Sequence, residues 1–260
     1  MNYGMHISAS GALTAMHRLD VAANNLANVE TTSFMPDIAI DRPRAHERAE
    51  DNLPYLPSNA MLEKLGGGIL SSDTKIKFAP GAVRITGNPL DVAIQNEGFF
   101  VVEERLGRNE TPELYFTRDG ALSLDGSGRL VQARSGRALL DTIGREIVVP
   151  EGASVRLDGR GRVLADGEEI ARLQIAGVSS TDALEKVGDG LYRSRLAGQD
   201  VRTDIDADLR VEALETSGVD AIQAMMAVSK AQSAANRGIQ MIDIHNRLMQ
   251  ATISTFARVG

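Results

Sequence analysis

The stretch MHISASGALTAMHRLDVAANNLANVETTSF, residues 5 to 34, decides how the rest of the chain is read. Within it Met5, Ala9, Ala12, Met16, Leu19, Ala23 and Leu26 follow one another at spacings of four and three. A seam with a period of 3.5 residues is the pattern of a helix that winds around a partner. The alternation returns at the far end in Ala221, Met225, Val228, Gln232, Ala235, Ile239, Ile242, Asn246, Met249, Ile253 and Phe256. Gln232 and Asn246 are its polar members, and a polar residue at such a position fixes register at some cost in stability. One seam alone is equally the buried face of a globular helix. Two seams flanking a β-like middle point to terminal helices that meet and pair as a coiled coil.

Working outward, the first helix is expected from Ser8 or Ser10 to about Asn28. Gly11 inside it costs about 1 kcal/mol relative to Ala, which predicts close packing against another backbone. Residues 1–35 thus form the N-terminal helix of a coiled-coil domain. Residues 36–86 read as an extended connector, punctuated by Pro36, Pro43, Pro54, Pro57, Pro80 and the Gly66-Gly67-Gly68 run, with room for a short helix over Asn59 to Leu65. Residues 87–215 carry short alternating runs such as Leu90–Ile94, Phe99–Val102 and Tyr115–Thr117. Leu124–Val131 and Leu157–Leu164 nearly repeat each other, each placing Asp-Gly-x-Gly between strand residues, the chemistry of a tight turn with glycine at positive φ. Asp166-Gly167 marks a further turn. This middle reads as a sandwich or partly closed barrel. Residues 216–260 return to helix, starting near Asp220, and the fold class is α+β.

Composition excludes more than it assigns. The net charge of −7, without long like-charge runs, argues against a nucleic-acid partner. Cysteine is absent, so no disulfide or thiolate metal site exists, and aromatics at 4% are thin for a stacking surface. No apolar run is long enough for a membrane-spanning helix, so no membrane insertion is expected. The first residues lack the basic start and apolar run of a cleaved secretory signal. His6 and His17 share a helical face but stand about 16 Å apart along it, too far to share a metal. No nucleophile elbow, zinc-binding helix or phosphate loop occurs. Catalytic, cofactor and metal residues are therefore expected to be none.

The residues do carry a resemblance. Ala22–Phe34, with Asn24, Asn25, Leu26, Asn28 and Phe34 as its signature, resembles the N-terminal motif of bacterial flagellar rod and hook proteins. Gly87–Ile94 followed by Gly98–Val102 resembles the central motif of the proximal and distal rod subfamily. Phe116–Gly120 and Glu215–Asp220 fit its later motifs in the same order. Ser33 and Met35 depart from the family pattern, which has glycine or proline, then a basic residue, around the aromatic. Asn96 replaces a glycine, a position where Asn tolerates the left-handed region. Gly218 replaces an asparagine, and a C-terminal arginine-aromatic-glutamate cluster is missing, which favours the proximal type. The resemblance implies a non-enzymatic structural subunit of the flagellar basal-body rod, in its periplasmic part, that transmits torque. It implies polymerisation with other copies and neighbouring rod proteins, and delivery by the flagellar type III export apparatus without a cleaved signal. A secreted adhesin or scaffold with a coiled-coil stalk is the alternative.

Overall fold

The computed structural model describes residues 3–45, 66–104, 113–178, 183–195, 201–202 and 208–259. The possible helix over Asn59–Leu65 lies outside them. The chain divides into a helical unit (1–27, 37–77 and 220–260) and a β unit (28–36 and 78–219).

In the helical unit, α1 spans Tyr3–Ala27 and α2 spans Ala221–Val259. At 1.5 Å per residue they are about 37 and 58 Å long. Helix α1 begins several residues before the expected serines. Ser8 and Ser10 lie inside it and turn their hydroxyls back onto the carbonyls of Gly4 and Ile7, both at 2.8 Å, instead of capping. Helix α2 starts as expected. The Asp220 carboxylate accepts from the Ile222 and Gln223 N–H groups at 2.9 and 3.1 Å, satisfying donors that the first turn leaves free.

The two helices pack antiparallel. A Cβ on Gly238 would lie 2.8 Å from the Ala12 Cβ, and one on Gly4 would lie 3.0 Å from the His245 ring. The backbone approach predicted for Gly11 therefore occurs at Gly238; nothing stands within 4 Å of a Cβ on Gly11.

The stretch read as an extended connector contains a hairpin. Strands β1 (Asp37–Arg44) and β2 (Gly68–Ile76) pair antiparallel, from Asp37 opposite Ile76 to Arg44 opposite Gly68, with an irregularity between Ile38 and Ile40. The hairpin lies against α1. Gly68 at φ +106 brings its backbone against the Ser10 hydroxyl, and Arg18 pairs with Asp41. Pro43 is tolerated in β1 because a two-stranded sheet consists of edges.

The β unit begins with β3 (Val83–Ile85), β4 (Val92–Ile94), β5 (Phe99–Glu104) and β6 (Glu113–Thr117). It continues through β7 (Leu122–Leu124), β8 (Leu130–Gln132), β9 (Ala138–Leu139), β10 (Val155–Leu157), β11 (Arg162–Ala165) and β12 (Glu168–Arg172). It closes with β13 (Ile175–Val178), β14 (Leu184–Gly188), β15 (Leu191–Ser194), β16 (Val201–Arg202), β17 (Leu209–Val211) and β18 (Ala213–Glu215). The principal sheet runs β14-β15-β6-β5-β9-β8-β7, with β13 branching from β5 and β16 from β13. Strands β10-β11-β12 form a second sheet, and β17-β4 and β18-β3 form two-stranded ribbons. Among the described residues strands β14 and β7 do not pair with each other, so these strands form no closed barrel. The core holds Val92, Phe100, Val102, Leu130 and Val163, each fully buried.

Turn chemistry sets the registers. Asp166 and Gly167, both at positive φ, join β11 to β12, the two-residue geometry that matches strand twist. At Asp125 one carboxylate oxygen accepts from the Ser127 and Arg129 N–H groups, while Gly128 takes φ +76. Asp158 does the same with Arg160, Arg162 and Gly161. A third copy, Asp141-Thr-Ile-Gly144-Arg145, follows the same bonding pattern. The shared spacing Asp-x-x-Gly-Arg was its sequence signal, hidden because only the other two carry Gly at the second position. Asn96 does not adopt the left-handed conformation; Gly98 nearby does, at φ +144.

The backbone N–H of Arg129 is the chief cause holding the Asp125 carboxyl below its ordinary pKa, with the Arg129 guanidinium assisting. Partial burial works against ionisation of Asp158, and the Arg162 and Arg160 donors outweigh it, so its pKa is lowered too. A carboxylate with a depressed folded-state pKa stabilises the fold above its unfolded pKa of about 3.9 and loses that contribution as pH falls through the folded value. The urea midpoint of the β unit is therefore expected to fall on going below about pH 4. In an Asp125→Asn/Asp158→Asn variant it should be lower at pH 7 and flatter with acid. Unfolding curves at pH 7 and pH 3 read the difference.

Candidate assembly surface

Reading α2 in heptads from Ala221 sorts its positions into rows. The row Ala221, Val228, Ala235 and Ile242 is shielded, and so is the row Ala224, Ala231, Gly238 and His245. These are the positions turned toward α1. The sequence seam placed Met225, Gln232, Ile239, Asn246 and Ile253 in the second row; they form a flanking row that is solvent-exposed. Met225 is 60% and Ile253 66% exposed. Met249, in the first row, lies where α2 has run past the beginning of α1, and it too is exposed. The Phe256 side chain lies outside the described residues.

Helix α1 shows the same half-shift. Ala12, Ala15 and Ala22 are buried, Met5, Ser8, Ala9, Leu19 and Leu26 are half-buried, and Met16 and Ala23 face solvent. Both shifts have one cause. Ala224, Ala231, Gly238, Ala15 and Ala22 are small, which lets the helix backbones approach, and the larger neighbours Met225, Ile239, Ile253 and Met16 stay outside.

A second outer row, Ala227, Ala234, Met241 and Leu248, borders the seam on its other side, with Met241 and Leu248 exposed. The charged residues Lys230, Arg237, Asp243 and Arg247 all lie on the remaining rows, away from the seam. An isolated two-stranded coil carries charge on the rows flanking its seam. Here both flanking rows are uncharged and largely exposed on either side of α1. Replacing Gln232 and Asn246 together with Leu is expected to leave the α1–α2 pairing intact and to strengthen self-association while loosening its selectivity. Sedimentation of the purified variant should show larger, mixed oligomers.

The signature residues have other work. Asn25 clamps the start of β1: its Nδ2 donates to the Asp37 carbonyl at 2.8 Å and its Oδ1 accepts from the Asp37 N–H at 2.9 Å. The amide thus takes the place of a strand partner. Asn24 is exposed on α1. Asn28 opens a turn, accepting the Thr31 N–H at its carbonyl and the Thr31 hydroxyl at its side chain. Within the β unit Ser33 sits at φ +53, a conformation that glycine adopts without strain. Phe34 lies 4.2 Å beneath the Lys186 ammonium, which also donates to the Met35 carbonyl at 2.6 Å. The cation the pattern places after the aromatic comes instead from β14, and Met35 is buried.

Among the described residues no group of three or more His, Asp or Glu side chains could hold a metal ion, and no helix is long and apolar enough to cross a membrane.

Residues 93–165 match the family model described as the flagellar hook protein FlgE/F/G D1 domain. The chain is 25% identical to the flagellar basal-body rod protein FlgF of Caulobacter vibrioides over the full length of both. It is 24% identical to FlgG of the same organism over 95% of this chain and 97% of the relative. It is 26% identical to FlgF of Escherichia coli over 86% of each. The matching domain falls inside the β unit, and the relatives extend the match through both terminal helices. Over nearly its whole length the chain is similar to bacterial flagellar basal-body rod proteins.

Proposed function

We propose that this chain is a structural subunit of the flagellar basal-body rod and polymerises through its terminal helices into the torque-transmitting shaft. The observation that carries the reading is the pair of open, uncharged rows along α2. A helix with four contiguous uncharged rows, two of them covered by α1, is built to be buried between several helices. In this reading α1 and α2 pair as a coiled coil that joins a continuous helical layer, and the β unit forms an outer layer. The partners are further copies and neighbouring rod proteins, in the periplasmic part of the basal body, reached through the flagellar export apparatus. The function is assembly, and the adhesin reading is not favoured by whole-length likeness to rod proteins.

The test is Ile239→Lys, on the exposed flanking row. A surface substitution of this kind moves monomer stability by no more than about 0.5 kcal/mol. In the rod it buries an unpaired charge, at a cost of several kcal/mol per contact. The expected result is a normally folded, non-motile strain without complete rods. Normal swimming with normal rods would overturn the proposal.

A further inference from the structure

The chain passes between its two units four times, after Ala27, Pro36, Lys77 and Val219. The β-unit ends of these passages are stapled to one another. The Ser33 N–H donates to the Glu215 carbonyl at 3.0 Å, and the Gly218 N–H to the Phe34 carbonyl at 2.9 Å. The Thr216 N–H reaches the Ala82 carbonyl at 2.8 Å, and the Gly81 N–H donates to the Glu215 Oε1 at 2.9 Å. Spacing is tight: a Cβ on Gly81 would stand 1.9 Å from the Thr216 carbonyl oxygen, and one on Gly218 2.6 Å from that of Ala79.

Beneath the staples lies a buried ion pair. Arg118 Nε meets Glu215 Oε2 at 2.9 Å, with side chains 6% and 2% exposed. The guanidinium spends its other described donors on the carbonyls of Gly98, Ile94 and Asn96, at 3.1 to 3.2 Å. The Ser33 hydroxyl donates to the Arg118 carbonyl at 2.9 Å. Glu215 is thus the common member: its carbonyl holds the strap 28–36, one carboxylate oxygen holds Gly81, and the other holds Arg118.

We infer that the Arg118–Glu215 pair is a latch that locks the strap 28–36, residues 79–82 and residues 215–218 into one cooperative piece, so that all four passages start from one rigid base. An alternative hydrophobic pair would fill the same space, but its side chains could not bond the Gly81 N–H and the carbonyls of residues 94–98 at once. Charge-assisted bonds of this geometry are the stronger kind, and a buried carboxylate without its partner is costly, so the latch is either fully closed or open. If the chain is a rod subunit, the latch gives torque an unyielding point of transfer; the latch itself is a property of the single chain and is tested without assembly.

Hydrogen exchange on the full-length purified protein reads it directly through the amides of Ser33, Gly81, Thr216 and Gly218. With Glu215→Gln these four are expected to exchange at least tenfold faster together, while amides of β5 and β8 keep their native rates. Native rates at all four, or acceleration at some only, would overturn the latch. Because the variant could unfold outright, the unaltered chain in rising, sub-denaturing urea supplies the second reading. There the four amides should accelerate in step, ahead of the core, and separate openings would contradict the inference.

Discussion

Replacing Gly238 with valine is expected to destabilise the helical unit by about 1–3 kcal/mol and to abolish rod assembly. The position leaves no room: even a Cβ would lie 2.8 Å from the Ala12 Cβ and 3.0 Å from its Cα, which is backbone and cannot swing aside. Overpacking of this kind costs about 1–3 kcal/mol in well-packed sites, and here it pries apart the seam that aligns both flanking rows. Gly11→Ala is the matched control. Nothing stands within 4 Å of its Cβ, so the change should be neutral or stabilise α1 by up to about 1 kcal/mol through helix propensity. Far-ultraviolet circular dichroism during urea unfolding checks both, and opposite signs are the expected outcome.

The second large effect concerns the buried ion pair. Arg118→Met is expected to lower the stability of the β unit by about 3–5 kcal/mol, because the Glu215 charge is left buried without a partner and three carbonyls lose their donor. Adding Glu215→Leu should recover part of the loss, since removing both charges leaves no orphan. By contrast, breaking the exposed Arg193–Glu185 pair, at 3.7 Å with both side chains about half exposed, should cost no more than about 1 kcal/mol. Urea midpoints of the three variants, followed by tyrosine fluorescence, order the effects.

These expectations show where the sequence was legible. The two terminal helices, the strand runs around Phe100 and Phe116, and the Asp-Gly turns were visible because periodicity and turn chemistry are local. The choice between adjacent rows was not. A pattern reading favours the larger hydrophobe, so it selected Met225 over Ala224 and Ile239 over Gly238. Close helix packing favours the smaller, and only three-dimensional contact distinguishes a seam from its flank. The hairpin of β1 and β2 was hidden by its prolines and by the long separation of its strands. The latch was illegible for the same reason: Ser33, Gly81, Arg118 and Glu215 are far apart in the chain, and no local pattern marks a buried arginine.

Electron cryomicroscopy of basal bodies isolated from the native bacterium tests the central claim most directly. The expected map shows this chain within the rod, with Met225, Ile239 and Ile253 on one flank of α2 and Met241 and Leu248 on the other buried against helices of neighbouring subunits. A rod from which the chain is absent, or one in which both flanks of α2 face solvent, would contradict it.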